Sequence, residues 1–410
     1  MNSELKFLLR DKANLLWLGL AFLLSSSAII LGLREVQLQE AEITELIALD
    51  QAEQELILSE QSDWGGLAYY TFHLTYDRPS AFSFAAMGQR DLLPWKHRLR
   101  MLALEGQIHE SDTRNPDFAL VGRLDYAFLL SVIAPLLVVL MLHDLRSSEK
   151  TAGRLEWLEA SAISSQGLWR KRATLRIALL VTAILIPLWL GGLIAGTSLF
   201  ILVKTTLLTV IYLGFWAVVS LWLCRPSASN TKNLAVMTGI WILCCGVIPM
   251  ILAESINRLH DLPKGSEILL TQRETVNDAW DLPKEDTFRP FLQRYPEYTG
   301  HTTVERGFAW KWYYAFQQVG DQAAEQLSQS YTQGRLAKEA TADGWSWVSP
   351  ATLVQRALHQ WAETDTRAMI QYEEDVRSFH KNLREYYYPK LFFQQEFDAS
   401  EVSNRPRYRN

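Results

Sequence analysis

The chain has 410 residues, of which 49% are hydrophobic, and a formal net charge of −5, so it is long enough for two or three domains. This balance, without any basic patch interleaved with aromatic residues, argues against a nucleic-acid-binding protein. The three cysteines lie within or at the ends of apolar runs, so they indicate neither a disulfide framework nor a CxxC site.

The apolar residues are concentrated in five uncharged runs, each close to the roughly 20 helical residues that cross a bilayer. These runs are Leu15–Leu33, Tyr126–Leu142, Ile177–Phe200, Thr205–Cys224 and Leu234–Ala253. A single run of this kind is often a buried core helix, but five of them predict a polytopic helical membrane protein. The first run, preceded by basic residues, also imitates a signal peptide, yet it continues past its small-residue stretch, which favours an uncleaved anchor.

The distribution of Lys and Arg predicts the orientation, because short cytoplasmic loops are enriched in basic residues. Basic residues cluster in 1–12, 143–172 and 225–233, whereas 35–60 has eight acids and no base. We therefore expect a multi-pass protein of the bacterial cytoplasmic (inner) membrane with its N-terminus in the cytoplasm. The predicted segments are a cytoplasmic N-terminal helix 1–12, spans 13–33, 124–142, 174–200, 201–224 and 234–253, cytoplasmic loops 143–172 and 225–233, and extracytoplasmic domains 34–122 and 254–410.

The two polar domains are predicted to be mostly helical. Residues 35–60 lack Gly and Pro and have helical periodicity, so the first span should continue outward as an amphipathic helix. Ser349–Phe393 has a Ser-Pro start, helical periodicity and an expected stop at Pro389. Its apolar stripe is more often a domain core than a partner surface. Lys204, near the outer end of a span, is interpreted as a snorkelling lysine rather than a substrate contact.

No catalytic or cofactor motif is present. There is no HExxH, no His/Cys cluster with metal-ligand spacing, no GxSxG and no GxxxxGK[ST]. The spans also lack the paired acids of a proton-driven transporter. The sequence therefore predicts a chain that is not an enzyme and holds no metal or cofactor, and any energy for work must come from another chain.

The loop 143–172 is much longer than a connector needs to be, and its residues resemble a family pattern. The matching positions are Glu149, Gly153, Leu155, Leu158, Ala160, Ser161, Ser164, Leu168 and Lys171. They are similar to the E-x3-G-x-L…A…S…L…K pattern that follows the second span of ABC-2 type transporter permeases. Tyr69–Phe84, Leu104–Asp144 and Ser349–Asp365 further resemble a branch with two large extracytoplasmic insertions and no assigned substrate. That branch, a domain of unknown function, is distantly related to the nitrous-oxide-reductase maturation permease.

This resemblance implies a type-2 ABC exporter-like fold, in which the 143–172 loop docks onto a separate ATPase. The implied ATPase-coupling residues are Glu149, Gly153, Leu155, Trp157, Leu158, Leu168 and Lys171. We expect two short helices, about Leu145–Glu159 and Ser164–Arg172, with Gly153 allowing close helix approach; a pair of amphipathic helices lying on the bilayer is the alternative. The family usually has a sixth span after the second insertion, and this sequence has none up to residue 410.

The implied function is that of a permease subunit, coupling ATP hydrolysis on a partner to export, extrusion or mechanotransmission at the outer face. Its expected partners are two copies of an ABC ATPase carrying ATP and Mg²⁺, a second permease, identical or paralogous, membrane lipid, and a periplasmic or outer-membrane protein. Pro135, Pro187 and Pro249 interrupt three spans and are candidate hinges. The alternative is a non-transporting scaffold whose outer domains bind envelope proteins or glycan.

Overall fold

A computed structural model of the chain describes residues 4, 5, 8, 10–110, 124–162, 164–224, 228–304 and 307–408. Most of the predicted N-terminal helix 1–12, the end of the first polar segment and Arg225 lie outside the described residues. Within them the chain is mainly α-helical, which confirms that part of the predicted fold class. The strands β1 (His73–Tyr76) and β2 (Lys96–Leu99) pair in antiparallel register, with His73 opposite Leu99.

The helices, numbered in chain order, are α1 Lys12–Glu60, α2 Trp64–Tyr70, α3 Leu104–His109, α4 Tyr126–Phe128, α5 Ala134–Leu142, α6 Ser147–Thr151, α7 Leu155–Ser161, α8 Ser165–Ile194, α9 Leu199–Leu223, α10 Asn230–Ile242, α11 Ile248–Leu259, α12 Gly265–Asp278, α13 Lys284–Arg294, α14 Trp310–Trp345, α15 Pro350–Trp361 and α16 Thr366–Phe392.

Within the described residues, five helical segments are long and apolar enough to cross a membrane. We call them apolar helices one to five; they are Lys12–Glu60, Tyr126–Thr151, Ser165–Ile194, Leu199–Leu223 and Asn230–Leu259. Serine side chains begin three of them: Ser164, Ser198 and Ser229 accept hydrogen bonds from the first-turn amides of α8, α9 and α10. The turn between α8 and α9 therefore lies at residues 195–198.

Helix α1 continues far beyond its apolar run, as the sequence predicted. Its 49 residues make a helix about 74 Å long, more than twice the apolar thickness of a bilayer. The uninterrupted supply of Glu, Gln, Leu and Ala after Leu33 explains this length, because none of these residues terminates a helix. The polar half of α1 therefore projects away from the other apolar helices.

Apolar helices two and five each contain a π-helical segment next to a proline. Leu129–Ile133 precedes α5, where Pro135 is among the first residues, and Leu243–Val247 precedes α11, where Pro249 holds the same place. Proline lacks an amide proton and crowds the preceding turn, so a local change of hydrogen-bond register accommodates it. Both helices thus carry a defined irregularity at a corresponding point.

The apolar helices share one core, into which two segments from outside the spans are inserted. One is the short turn at Phe82–Ala86, whose buried side chains join the core; the other is α15, through Val354 and Leu358. The turn approaches α1 so closely that a Cβ at Gly32 would lie 1.9 Å from the Phe84 carbonyl oxygen. Only glycine fits there.

The two polar segments, predicted as separate domains, fold together. A single cluster of buried side chains contains Trp64 and Met101 from the first segment with Phe316 and Tyr387 from the second. We call the assembly of residues 61–109, 260–304, 307–349 and 366–408 the polar body. Helix α16 runs through Pro389 to Phe392, so the predicted stop at Pro389 was wrong.

Candidate partner-docking site

The 143–172 segment forms an elbow whose shape differs from the predicted pair of helices. α6 ends at Thr151, α7 occupies Leu155–Ser161, and the second predicted helix is the beginning of α8. Gly153 explains the first break, because its φ of +69° is a left-handed conformation that glycine adopts without strain. Helix α8 is the same helix as apolar helix three, and after its first turn it contains no Gly or Pro before Pro187, so the end of the elbow is the first part of that span.

Glu149 is the central charge of the elbow. Its carboxylate accepts hydrogen bonds from Arg154 Nε at 2.8 Å and from Arg172 Nη1 at 3.1 Å. Arg172 Nε also donates to Glu4 Oε2 at 2.9 Å. Glu149 and Arg172 are both largely buried, so this network fixes α6 against the start of α8 and leaves Glu149 inaccessible to a partner.

Trp169 anchors the other side of the elbow and was not among the predicted residues. Its buried ring lies under the guanidinium groups of Arg146 and Arg172, at 5.6 and 5.4 Å, and Nε1 donates to Glu159 Oε1 at 2.9 Å. Cation–π contacts of this kind are stabilising when partly desolvated. The i,i+3 spacing of Trp169 and Arg172 is the only local signal in the sequence that points to this contact.

The predicted coupling residues divide into buried and accessible groups. Leu155, Leu158 and Leu168 are partly buried against the core of the apolar helices. Trp157, by contrast, is 70% exposed, and Lys171 is exposed as well.

Gly153 serves a turn and not a close helix contact, because a Cβ there would have nothing within 4 Å. Trp157, exposed on α7, is an accessible aromatic side chain of the elbow, and we call it the elbow tip.

Two of the three candidate hinge prolines lie near the same helix. α15 packs against both π-helical segments, and Ser349 Oγ, at its N-terminus, donates to the Cys244 carbonyl at 3.2 Å. Pro135 and Pro249 follow those segments immediately. Pro187 lies within α8, one turn beyond the contact in which Ser25 Oγ donates to the Ile184 carbonyl at 2.8 Å.

α15 is tied both to the apolar helices and to the polar body. The Lys204 ammonium lies 4.1 Å from the Trp361 ring centroid, so this lysine contacts an aromatic face of α15. After α15, the Thr364 hydroxyl donates to the Ala86 carbonyl at 2.7 Å, and the Gln89 amide donates to the Thr364 carbonyl at 2.8 Å. A displacement of the polar body would therefore be transmitted to α15 and the π-helical segments.

The described residues contain no group of three or more His, Cys, Asp or Glu side chains arranged to hold a metal ion. The geometry around 143–172 offers an interaction surface, with no reactive constellation among its described side chains.

Comparison with known protein families gives a match to part of the chain. A family model described as "Domain of unknown function (DUF3526)" matches residues 266–410, which covers much of the polar body together with α15 and leaves the elbow and the apolar helices outside. No curated protein and no solved structure matches the chain.

Proposed function

We propose that the chain is the membrane-spanning permease subunit of an ABC transporter whose ATPase is a separate polypeptide. In this proposal the elbow faces the cytoplasm and docks onto the ATPase, and the polar body lies on the opposite side of the membrane. Two such subunits, identical or paralogous, would bind two ATPases that carry ATP and Mg²⁺. ATP hydrolysis by the ATPases would drive export, extrusion or mechanotransmission at the outer face of the membrane.

The observation that carries the proposal is the elbow itself. It is held by a largely buried Glu149–Arg172 pair, its last helix is the beginning of apolar helix three, and it presents an exposed Trp157. An exposed tryptophan on a fixed support is the kind of side chain that dominates binding energy at protein interfaces. An elbow needed only to connect two spans would require neither the ion pair nor the aromatic tip.

The elements between the elbow and the polar body favour motion over simple anchoring. π-Helical segments and prolines interrupt apolar helices two and five at the points where α15 packs. Such interruptions are common at functional hinges. Docking and release at the elbow would shift apolar helices two and three, and α15 would carry this shift to the polar body.

The test compares Trp157→Ala with Trp222→Ala, because Trp222 is an exposed tryptophan near the end of α9 and is not part of the elbow. The full-length chain would be purified in detergent together with a candidate ABC ATPase from the same organism, and both the binding affinity and the stimulated ATP hydrolysis would be measured. A hot-spot tryptophan contributes about 2 kcal/mol, so Trp157→Ala should weaken binding roughly 30-fold. Trp222→Ala should leave it unchanged.

Wild-type chain that neither binds nor stimulates that ATPase would overturn the proposal and favour the scaffold function. Equal binding by the wild type and Trp157→Ala would remove the elbow tip as the docking site.

A further inference from the structure

A cavity of ≈770 Å³ lies where apolar helix five meets the polar body. The end of α11 lines it with Ala253, Ile256 and Asn257. Helix α14, which packs against α11, lines it with Tyr331, Arg335 and Lys338. This volume is in the range of small-molecule sites, and the walls combine apolar and charged groups, as such sites commonly do.

Among the described residues, one lysine on the cavity walls has no carboxylate partner, whereas two arginines are paired. Arg335 Nη1 donates to both oxygens of Glu373, at 2.6 and 2.9 Å. Arg356 Nη2 donates to Glu339 Oε1 at 2.7 Å and to Asp343 Oδ1 at 2.6 Å.

Lys338 differs from these arginines. Its Nζ lies 3.3 Å from the amide oxygen of Asn257, and no carboxylate of the described chain lies within 4 Å of it. Arg335 Nη2 and Arg356 Nε are also buried without a hydrogen-bond partner among the described atoms. Burial lowers the pKa of His97, another wall residue, to about 4. This ring is therefore uncharged at neutral pH and adds no positive charge for binding an anion.

The apolar residues of the cavity wall belong to α11, and we expect this helix to leave the membrane next to the cavity. The uncharged run ends at Ala253, and the next residues include the exposed Glu254–Arg258 ion pair. Met250 and Leu259, on the same helix, are more than half exposed. A ligand in the cavity can therefore contact apolar surface near the membrane boundary while an anionic group reaches α14.

From this juxtaposition we propose that the cavity is a binding site for a phosphate-bearing ligand, with Lys338 as its main cationic contact and Arg335 as a second donor. Such a phosphate occurs both in the headgroup of a membrane phospholipid and in small soluble phosphates. The proposal does not depend on transport, since it needs only the cavity and a lysine that has no carboxylate partner in the described part of the chain.

The test measures binding to the full-length chain in detergent by native mass spectrometry and titration, without any ATPase. The probes are phosphatidylglycerol, glycerol phosphate, and diacylglycerol as a phosphate-free lipid. Removing one cation near an anionic headgroup should weaken binding about fivefold, so Lys338→Gln should lose affinity by that factor.

Lys338→Arg keeps the positive charge and should retain binding. It therefore distinguishes the effect of losing the charge from an effect of disturbed folding. Lys381→Gln is the matched control, because Lys381 is an exposed lysine of the polar body outside the cavity.

Two outcomes support the site, and each identifies whether its phosphate-bearing ligand is a lipid or a soluble molecule. Saturable, Lys338-dependent binding of phosphatidylglycerol but not of glycerol phosphate assigns a lipid headgroup, and the reverse assigns a soluble phosphate. Binding of diacylglycerol as tight as that of phosphatidylglycerol, equal affinities of Lys338→Gln and Lys381→Gln, or no saturable binding of either phosphate probe would overturn the proposal.

Discussion

At the residue scale, some side chains stabilise the fold of the elbow, and another is exposed and available to a partner. In the sequence, Glu149 and Trp157 are both members of one predicted coupling patch. In the structure, Glu149 is largely buried between Arg154 and Arg172, whereas Trp157 is 70% exposed. Replacing Glu149 therefore tests the folding of the elbow, and replacing Trp157 tests docking.

We expect Glu149→Gln to loosen the elbow, because it leaves the largely buried guanidinium of Arg172 without one of its carboxylate partners. Breaking a buried ion pair costs on the order of 3 kcal/mol. The remaining Glu4–Arg172 contact should moderate the loss. Hydrogen exchange of α6 and α7 in the full-length protein would measure it as faster exchange.

The control is Glu156→Gln, because Glu156 is exposed on α7. This variant should exchange like the wild type. Unchanged protection in Glu149→Gln would mean that the carboxylate does not support the elbow.

At the element scale, α15 illustrates what the sequence could and could not predict. The Ser-Pro start is confirmed, since Ser349 caps the helix by accepting a hydrogen bond from the Thr352 amide. The sequence, however, predicts one apolar stripe along Ser349–Phe393. The structure breaks the helix at 362–365, where Glu363 has a φ of +56°. No Gly or Pro marks that break.

Because of this break, the two halves of the apolar stripe pack against different parts of the molecule. Leu358 and Trp361 pack with the apolar helices, whereas Met369, Tyr372 and Val376 pack within the polar body. Periodicity reports that a face is apolar, but it does not report what covers that face. The helical character and the apolar face were therefore predictable, whereas the break and the packing partners were not.

Leu358→Ala should destabilise the contact between α15 and the apolar helices. Leu358 is fully buried, and Leu→Ala changes at such sites cost about 2–5 kcal/mol. We expect a lower unfolding midpoint and faster hydrogen exchange in Leu129–Ile133 and Leu243–Val247, the segments against which α15 packs.

Leu353→Ala provides the comparison, since Leu353 is only half-buried on the same helix. Its effects should be clearly smaller. Equal effects of the two substitutions would indicate that α15 does not hold the π-helical segments.

At the scale of the whole molecule, the sequence predicted the number and approximate position of the apolar helices, because length and lack of charge are local properties. It did not predict that the two polar segments share a core. Contacts such as that between the Ala103 amide and Gln317 Oε1, at 3.0 Å, join residues 214 positions apart. A single sequence carries no local signal for such pairs.

Asp321 is the residue on which this union of the polar segments depends most directly. Its carboxylate accepts hydrogen bonds from the Leu104 amide at 2.8 Å and the Glu105 amide at 3.0 Å, at the start of α3. It also accepts one from Arg384 Nη2 at 2.5 Å, and Arg384 in turn donates to the Leu102 carbonyl at 3.1 Å. One buried carboxylate thus joins α14, α16 and the first polar segment.

We expect Asp321→Asn to destabilise the polar body by about 3–5 kcal/mol, because it leaves the Arg384 guanidinium buried without a counter-charge. The loss should appear as faster hydrogen exchange both in residues 97–109 and in α14. Glu325→Gln, one turn further along α14, removes only an exposed contact to Arg294 at 3.5 Å, and should cost under about 1 kcal/mol. If Asp321→Asn loosened α14 alone and left residues 97–109 protected, the two polar segments would be separate folding units, and force from α15 would reach only one of them.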